Sequence, residues 1–298
     1  MKRVLRVGLL LAFTLGLCWP GKNVTPQGGD PVLIGAGDIS DAFNFTLSSA
    51  FATGALIAAN PTATVFANGD LAHNNGTDTD ILNAYVPAWG GFKARTIPVT
   101  GNHEYQSLKA LGFFNYWGPA AGDPTKGYYS MNLGAWHIVV LNANCAFVDC
   151  SSGSAQETWL RNDLAANPTA CTLALFHQPL YTSSSIVSPT AAVQPLWADL
   201  YSSNADLIVN GHAHNYERFS PQDANGALDT TRGIAEIIAG TGGASLFPFN
   251  SSFAANSVVH NSSTWGVLKL TLHSTSFDWQ FIPIAGQTFT DSGTRACH

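Results

Sequence analysis

Several short apolar runs in this sequence end in residues that commonly bind metal ions. These ends are Gly37-Asp38, Gly69-Asp70, Gly101-Asn102-His103, His177 and Gly211-His212-Ala213-His214. A further histidine, His73, stands three residues after Asp70. Neutral imidazole, carboxylate and amide oxygen together suit Zn, Fe, Mn or Co. The set therefore predicts a metal site assembled at the ends of several strands.

Two metal ions bound to such residues would support hydrolysis. An aspartate can bridge two cations, and metals roughly 3.5–4 Å apart clamp the attacking and leaving oxygens of a phosphoryl displacement. The leaving oxygen also needs a proton, which a histidine that does not bind metal can supply. His103 followed by Glu104 fits this role, because a neighbouring carboxylate can fix the orientation of the imidazole. We therefore predict His103 and Glu104 as the catalytic pair.

Each motif alone also has a structural explanation. An aspartate after glycine is commonly a turn former, and a histidine at a strand end is commonly held by hydrogen bonds within the fold. Gly-His-x-His by itself is equally compatible with both roles. The prediction of a metal site therefore rests on the occurrence of five such strand ends in one chain.

Strands and helices must alternate to bring these ends together. The apolar runs predict buried strands at 32–34, 64–66, 97–99, 136–141, 173–176 and 207–209. Helices are predicted at 46–60, 78–89, 154–167 and 189–201, and a terminal hairpin at 267–272 and 277–282. In open α/β sheets, functional groups collect beyond the carboxyl ends of the strands. The alternation predicts an α/β fold of sheets packed face to face, with helices outside.

The ordered motifs resemble those of the calcineurin-like metallophosphoesterases. The segment at 211–218, Gly-His-Ala-His-Asn-Tyr-Glu-Arg, and the segment at 176–181, Phe-His-Gln-Pro-Leu-Tyr, resemble the purple acid phosphatase branch. The resemblance extends over residues 32–282. It implies the four-layer α/β/β/α sandwich of that superfamily, with two packed sheets flanked by helices, as a single catalytic domain at 22–298.

By this resemblance, the site is a binuclear metal centre bridged by Asp70. The implied ligands of the first metal are Asp38 and His214, and those of the second are Asn102, His177 and His212. The implied activity is a phosphomonoesterase acting on small phosphorylated substrates by attack of metal-bound hydroxide, with His103 as general acid. Two alternatives stay open: a phosphodiesterase or nucleotidase on the same site, and an inert binding protein that retains the fold.

Two positions depart from the family pattern. Ser40 stands where many of these enzymes have a histidine, and His73 replaces the tyrosine that purple acid phosphatases use as a ligand to ferric iron. We expect His73 to be the fourth protein ligand of the first metal, the alternative being a surface or supporting residue. Without the tyrosine we predict a colourless or weakly coloured protein, and the metal pair need not contain iron.

Composition excludes other classes of protein. The 298-residue chain has a formal net charge of -6, with 11% charged and 46% hydrophobic residues. A disordered chain would contain fewer apolar residues, and broad electrostatic binding to nucleic acid requires a basic face. We therefore expect a folded protein that does not bind nucleic acid by charge.

The N-terminus has the order of a secretory signal peptide. Lys2, Arg3 and Arg6 precede an apolar run at 7–17, and Pro20-Gly21 follows it. The run is too short to cross a bilayer, which needs roughly 20 apolar residues. We predict a signal peptide at 1–21, with an uncleaved anchor as the alternative. The mature protein is then secreted or periplasmic, with no stable membrane insertion. No feature of the sequence indicates an oligomeric state.

Four cysteines follow the predicted signal peptide: Cys145, Cys150, Cys171 and Cys297. An even number in an exported chain favours disulfides over thiol chemistry. Cys145 and Cys150 bracket a short polar loop and are the expected local pair, which leaves Cys171 with Cys297. The other two connectivities stay open at this stage.

Overall fold

The structure, a computed structural model, describes residues 29–41, 49–73 and 75–298. The predicted signal peptide at 1–21 and the first residues of the helix predicted at 46–60 lie outside them. Within the described ranges, no helix is both long enough and apolar enough to cross a membrane.

Two mixed β-sheets form the centre of the described chain. Its strands are β1 (Val32–Ala36), β2 (Thr64–Asn68), β3 (Thr96–Val99), β4 (Tyr129–Leu133), β5 (Trp136–Val140), β6 (Cys171–Leu175), β7 (Leu207–Asn210), β8 (Tyr216–Gln222), β9 (Ile234–Ala239), β10 (Ser257–Asn261), β11 (Gly266–Leu272), β12 (Ser276–Pro283) and β13 (Ser292–Ala296). The strand order is β13-β12-β11-β1-β2-β3 in the first sheet and β10-β8-β9-β7-β6-β5-β4 in the second. The predicted strands and the hairpin, now β11 and β12, are confirmed.

Parallel pairing brings the motif-bearing strand ends to one side of the molecule. β1 pairs in parallel with β2, and β2 with β3. In the second sheet, β5, β6, β7 and β9 are parallel neighbours. The two sheets meet at this edge, where the His212 N–H donates to Asp38 Oδ2 over 2.7 Å. The residues predicted to bind metal therefore converge from both sheets.

Helices cover the outer faces of the sheets. The α-helices of the described chain are α1 (Ala50–Ala58), α2 (Asp78–Asp80), α3 (Val86–Trp89), α4 (Leu111–Trp117), α5 (Ala155–Ala166) and α6 (Gln194–Ser202). A π-helical turn at Ile81–Tyr85 joins α2 to α3. Short 3-10 helices lie at Gly90–Arg95, Glu104–Gln106, Leu108–Ala110, Gly118–Ala121 and Ala191–Val193.

Local sequence accounts for several helix ends. The Ser154 hydroxyl accepts a hydrogen bond from the Glu157 N–H over 3.2 Å, so α5 begins at residue 155, and Pro168 follows its end. The helix predicted at 78–89 contains the π turn, because Pro87 has no N–H to donate within a regular α-helical ladder. The helix predicted at 189–201 becomes α-helical only at Gln194, after a 3-10 turn.

Apolar layers separate the sheets from each other and from the helices. Leu33 of β1 faces the layer between the two sheets, whereas Ile34 faces the helices, as expected for alternating side chains of a strand. Trp89 is fully buried beside the first sheet, and Trp197 is fully buried beside the second. The order of layers is therefore α/β/β/α, which confirms the predicted architecture.

Both expected disulfides are present. Cys145 pairs with Cys150 across the loop after β5, with their Cα atoms 5.2 Å apart. Cys171, the first residue of β6, pairs with Cys297, with their Cα atoms 5.5 Å apart. The second bond links the last residues of the chain to a central strand.

Candidate metal centre

The loops at the carboxyl ends of the strands hold the backbone in unusual conformations. Asp38, Asp70, His212 and His214 all have positive φ, at 56°, 50°, 68° and 32°. Left-handed backbone is uncommon outside glycine and costs energy, and it concentrates at functional sites. Here it turns each side chain back toward the point at which the two sheets meet.

Two glycines allow the close approach of these loops. A Cβ on Gly69, which has φ +82°, would lie 2.4 Å from His177 Nδ1. A Cβ on Gly101 would lie 2.1 Å from Asp70 Oδ1. A larger residue at either position would displace a candidate ligand.

Asp38, His73 and His214 form one group of potential ligands. Asp38 Oδ1 lies 3.1 Å from His214 Nε2 and 3.7 Å from His73 Nε2. One atom from each of the three residues lies within 4.8 Å of the others. The structure thus brings His73 beside the two residues that the resemblance assigns to the first metal, and its role as a fourth ligand stays a prediction.

Asp70, His177 and His212 form a second group, in which one potential ligand atom from each residue also lies within 4.8 Å of the others. Asp70 Oδ2 is 3.0 Å from His177 Nε2 and 3.5 Å from His73 Nε2. The same carboxylate therefore stands between the two groups, which is the position expected of a bridging ligand. Asn102 follows β3 at the same edge, next to Gly101.

The donor atoms fit metal ions. Within the described chain, four buried atoms of the predicted ligands make no hydrogen bond outside the set of ligands itself: Asp38 Oδ1, His73 Nε2, Asn102 Oδ1 and His177 Nε2. Buried polar atoms without partners are costly and uncommon in folded proteins. Carboxylate oxygens, imidazole nitrogens and an amide oxygen at one edge of the sheets are a donor set for cations such as Zn, Fe, Mn or Co.

Backbone carbonyls orient three of the imidazoles. Nδ1 lies 2.8 Å from the Asn68 carbonyl oxygen in His177, 2.7 Å from that of Ser245 in His214, and 3.2 Å from that of Ser40 in His73. A proton on each Nδ1 can be donated to the carbonyl, which leaves Nε2 with its lone pair. Such outer hydrogen bonds fix the tautomer and the ring orientation of metal-binding histidines.

The electrostatics of the site favour a cation. Burial disfavours ionisation of Asp70, but His177 and His73 outweigh it and hold the pKa of this carboxyl well below its usual value. Burial also disfavours a charged His177, yet Asp70 and Asp38 raise its pKa to about 10. Burial and the neighbouring His177 lower the pKa of His212 to about 4. The negative field that favours a proton on His177 would equally favour a metal ion.

Glu104 has a different role from the one predicted. Its fully buried carboxylate accepts hydrogen bonds from the N–H groups of Asp70 (3.0 Å), Gly101 (2.7 Å) and Leu71 (2.8 Å). Burial and the charge of Asp70 raise its pKa to about 7. Glu104 therefore ties the loop after β2 to the loop after β3 instead of orienting the His103 ring. The short helix that begins at Glu104 turns this side chain inward.

His103 lies at the open side of the centre. Its side chain is 25% exposed, and its Nε2 is 3.9 Å from Asp70 Oδ2. Its Nδ1 lies 3.2 Å from Gln106 Nε2. The His103 N–H donates to Asp70 Oδ1 over 2.9 Å, which fixes the backbone beside the carboxylate.

The structure also explains the departure at Ser40. The Ser40 hydroxyl is buried and donates to the Leu71 carbonyl over 2.8 Å, while its own carbonyl accepts from the His73 N–H over 2.8 Å. Ser40 therefore supports the loop that carries His73. Phe247 also belongs to the site and was not predicted from the sequence: its ring stacks on His214 at a centroid distance of 3.8 Å. No spacing in the sequence relates these two residues.

Comparison with known proteins relates the chain to phosphoesterases. The family model of the calcineurin-like phosphoesterases matches residues 28–216. The chain is similar to Probable purple acid phosphatase 20 of Arabidopsis thaliana, at 29% identity over 171 residues, 48% of this chain and 39% of that protein. It is similar to Purple acid phosphatase 15 of the same plant, at 32% identity over 195 residues, 56% of this chain and 34% of that protein. The matches thus span less than half the length of these relatives.

The fold is similar to solved structures of phosphatases. Purple acid phosphatase PPD1 from yellow lupin (Lupinus luteus) seeds superposes with a TM-score of 0.71 at 19% identity, covering 91% of this chain and 54% of that one. A dimetal phosphatase from Danio rerio gives a TM-score of 0.61 at 13% identity, covering 91% of this chain and 100% of that one. At these identities the likeness concerns the fold alone. Because the family model matches more than half of the residues of this chain, the chain belongs to the calcineurin-like phosphoesterase family.

Proposed function

We propose that this protein is a phosphomonoesterase that uses two metal ions. The observation that supports the proposal is the position of Asp70, whose Oδ2 lies 3.5 Å from His73 Nε2 and 3.0 Å from His177 Nε2. A single carboxylate thus joins two groups of potential ligands. The similarity to purple acid phosphatases favours phosphate esters as substrates.

The ligands divide between the two ions around Asp70. The residues that would hold the first metal are Asp38, His73 and His214, and those that would hold the second are Asn102, His177 and His212. When bound, two such ions neutralise charge on the phosphate and lower the pKa of coordinated water. The surrounding chain excludes bulk water, since Asp38 and His177 are fully buried and Asp70 is 1% exposed.

His103 is the residue that we propose as general acid. Its imidazole is partly exposed and faces Asp70 across 3.9 Å, so it borders both the solvent and the candidate centre. This position allows the ring to take a proton from water and deliver it to the leaving oxygen. The His103 N–H bond to Asp70 Oδ1 keeps that ring at a fixed place beside the centre.

The test is turnover of p-nitrophenyl phosphate and of bis-p-nitrophenyl phosphate, with metal content measured in the same samples. We expect the monoester to be the better substrate, and His103→Ala to lower kcat about 10²–10⁴-fold while the metal content is unchanged. His273→Ala, a change at a partly exposed histidine on the turn between β11 and β12, is the matched control and should retain activity. Wild-type turnover in His103→Ala would refute the general-acid assignment. A preference for the diester would refute the monoesterase assignment.

We also propose that the protein is exported. The apolar run at 7–17 after three basic residues supports this location, as do the disulfides Cys145–Cys150 and Cys171–Cys297. Fractionation of cells that express the full chain should recover it outside the cytoplasm with residues 1–21 removed. Recovery of the uncut chain in the cytoplasm would contradict the proposal.

A further inference from the structure

Glu217 is a fully buried glutamate in β8, three residues after the candidate ligand His214. Its Oε2 accepts from the Ser183 N–H over 2.9 Å and from the Thr182 hydroxyl over 3.4 Å. Its Oε1 accepts from the Ser257 hydroxyl over 2.7 Å and from the Ser183 hydroxyl. The carboxylate thus holds a segment that follows β6 and the first residue of β10.

Two loops meet next to the Glu217 carboxylate. We call residues 182–185 the first rim loop and residues 245–254 the second rim loop. Ser184 and Phe249 form a β-bridge between them, and the Asn250 N–H donates to the Ser183 carbonyl over 2.9 Å. The Ala254 N–H donates to the Ser183 hydroxyl over 2.9 Å, and that hydroxyl in turn donates to Glu217. Ser183 therefore connects the carboxylate to the second rim loop.

The second rim loop holds His214 in place. The Ser245 carbonyl oxygen lies 2.7 Å from His214 Nδ1. The Phe247 N–H donates to the His214 carbonyl over 2.9 Å, and the two rings stack at 3.8 Å with 8° between their planes. Both the orientation of the imidazole and the aromatic wall beside it therefore depend on where this loop lies.

The four donors around Glu217 match an ionised carboxylate, which only accepts hydrogen bonds. The neighbouring strand carries a second fully buried glutamate, Glu236. Burial, followed by the charge of Glu217, raises the pKa of Glu236 well above its usual value.

We propose that Glu217 is a positioning residue, whose buried carboxylate locks the two rim loops together and so fixes His214 and Phe247 at the candidate metal centre. It is distinct from the ligands, since its carboxylate acts through Thr182, Ser183 and Ser257, which donate to it, and through the second rim loop. The part of the inference that concerns catalysis rests on the proposed function, whereas the part that concerns loop order and metal affinity does not.

The test compares Glu217→Ala and Glu217→Gln with the wild-type protein in three measurements. These are Zn²⁺ affinity, amide hydrogen exchange in both rim loops, and KM and kcat for p-nitrophenyl phosphate. We expect Glu217→Ala to weaken Zn²⁺ binding roughly 10–100-fold, as for other groups that orient metal ligands. Amide hydrogen exchange should accelerate in the second rim loop, although none of the four donors to Glu217 lies in that loop. KM should rise.

Glu217→Gln should recover most of the lost affinity. Its single amide oxygen can accept from the Ser183 N–H, which cannot reverse its direction. The hydroxyls of Ser183 and Ser257 can rotate to accept from the new NH₂ group instead. Glu217→Met, which keeps a similar volume but accepts none of these hydrogen bonds, should not recover the affinity. If it does, the role is bulk packing and the inference is wrong.

Asp206→Asn is the matched control. Asp206 is fully buried, and its carboxylate accepts from the N–H groups of Thr172 and His298, at the opposite end of the second sheet. Whatever its effect on the free energy of unfolding, we expect this variant to leave Zn²⁺ affinity, rim-loop exchange and KM unchanged. If Glu217→Ala behaves in the same way, the inference is wrong.

If Glu217→Ala does not fold, Ser257→Ala and Asn250→Ala decide the question. Ser257→Ala removes the hydrogen bond from the Ser257 hydroxyl to Glu217, and Asn250→Ala removes the one from the Asn250 side chain to the Ser184 carbonyl. A loss of Zn²⁺ affinity in both variants relative to the wild type, smaller than the one expected for Glu217→Ala, supports the inference. Wild-type Zn²⁺ affinity in both variants overturns it. A wild-type protein that binds metal but hydrolyses no phosphate ester would refute the proposed function alone.

Discussion

Replacing Glu104 with glutamine tests how the candidate metal centre is held together. The wild-type carboxylate accepts three backbone N–H groups, two at Oε2 and one at Oε1. A glutamine can place its one oxygen at the former Oε2 position, facing the N–H groups of Asp70 and Gly101. Its NH₂ group then faces the Leu71 N–H, so two donors point at each other in a fully buried site.

The magnitude follows from this arrangement. A buried N–H left without an acceptor costs about 1–3 kcal/mol. Above pH 7, where Glu104 with its pKa of about 7 is ionised, two hydrogen bonds to a charged group also become weaker neutral ones at a further cost of about 1 kcal/mol. The free energy of unfolding should therefore fall by about 2–4 kcal/mol. In a domain of this size that corresponds to a decrease in Tm of roughly 5–15 °C. Metal content should fall as well, because Leu71, the neighbour of Asp70, loses its acceptor and the shared hydrogen bonds of Asp70 and Gly101 become weaker.

The assay is thermal unfolding in the presence of a chelator, so that a difference in bound metal does not contribute to Tm. Glu157→Gln is the control, because the Glu157 carboxylate accepts one backbone N–H, from Gly153, which a glutamine oxygen can still accept. We expect its Tm to change by only a few degrees. If Glu104→Gln unfolds within about 1 °C of the wild type, the three N–H groups do not depend on the carboxylate, and the anchoring role of Glu104 is refuted.

Three further predictions concern metal binding and pH. His73→Ala should lower the bound metal, measured by mass spectrometry, from about two ions per chain towards one; an unchanged count would exclude His73 as a ligand. The iron-loaded wild-type protein should lack the strong visible band of an iron–phenolate bond, since His73 stands at the tyrosine position, and a strong band would contradict this. Burial raises the pKa of Asp206 to about 6, so the folded state binds more protons than the unfolded chain between about pH 4 and 6. The free energy of unfolding should fall as pH rises through that range, by at most about 3 kcal/mol, and Asp206→Asn should remove this slope.

The sequence was sufficient to predict the strands that carry the site, for a physical reason. Each is a short run of buried apolar residues that ends in polar ones, as in β2 before Gly69-Asp70 and β7 before Gly211-His212. Parallel strands place such ends along one edge, so a shared site could be predicted before any distance was known. The division of its ligands between two metals came only from the resemblance to the metallophosphoesterases. The π turn at Ile81–Tyr85 was not predicted, because it changes the hydrogen-bond ladder without changing the apolar pattern.

The role of Glu104 could not be derived from its neighbour in the sequence. Adjacent residues in a short 3-10 turn point in different directions, so His103 faces the open side while Glu104 faces the backbone of two loops. The contact between Phe247 and His214 was equally hidden, because it joins loops that follow different strands of the second sheet. Pairing between loops leaves no periodic signal in either segment.

The contacts of residues 216–218 explain why the motif at 211–218 extends beyond the candidate ligands His212 and His214. Tyr216 and Arg218 lie on the same face of β8, and both donate to Asp291, over 2.7 and 2.6 Å. Glu217 lies between them on the opposite face, where it holds the rim loops. β8 is therefore fixed on both faces immediately after His214. A metal ligand that follows a left-handed backbone turn needs such support, because the strained conformation persists only where the surrounding structure determines it.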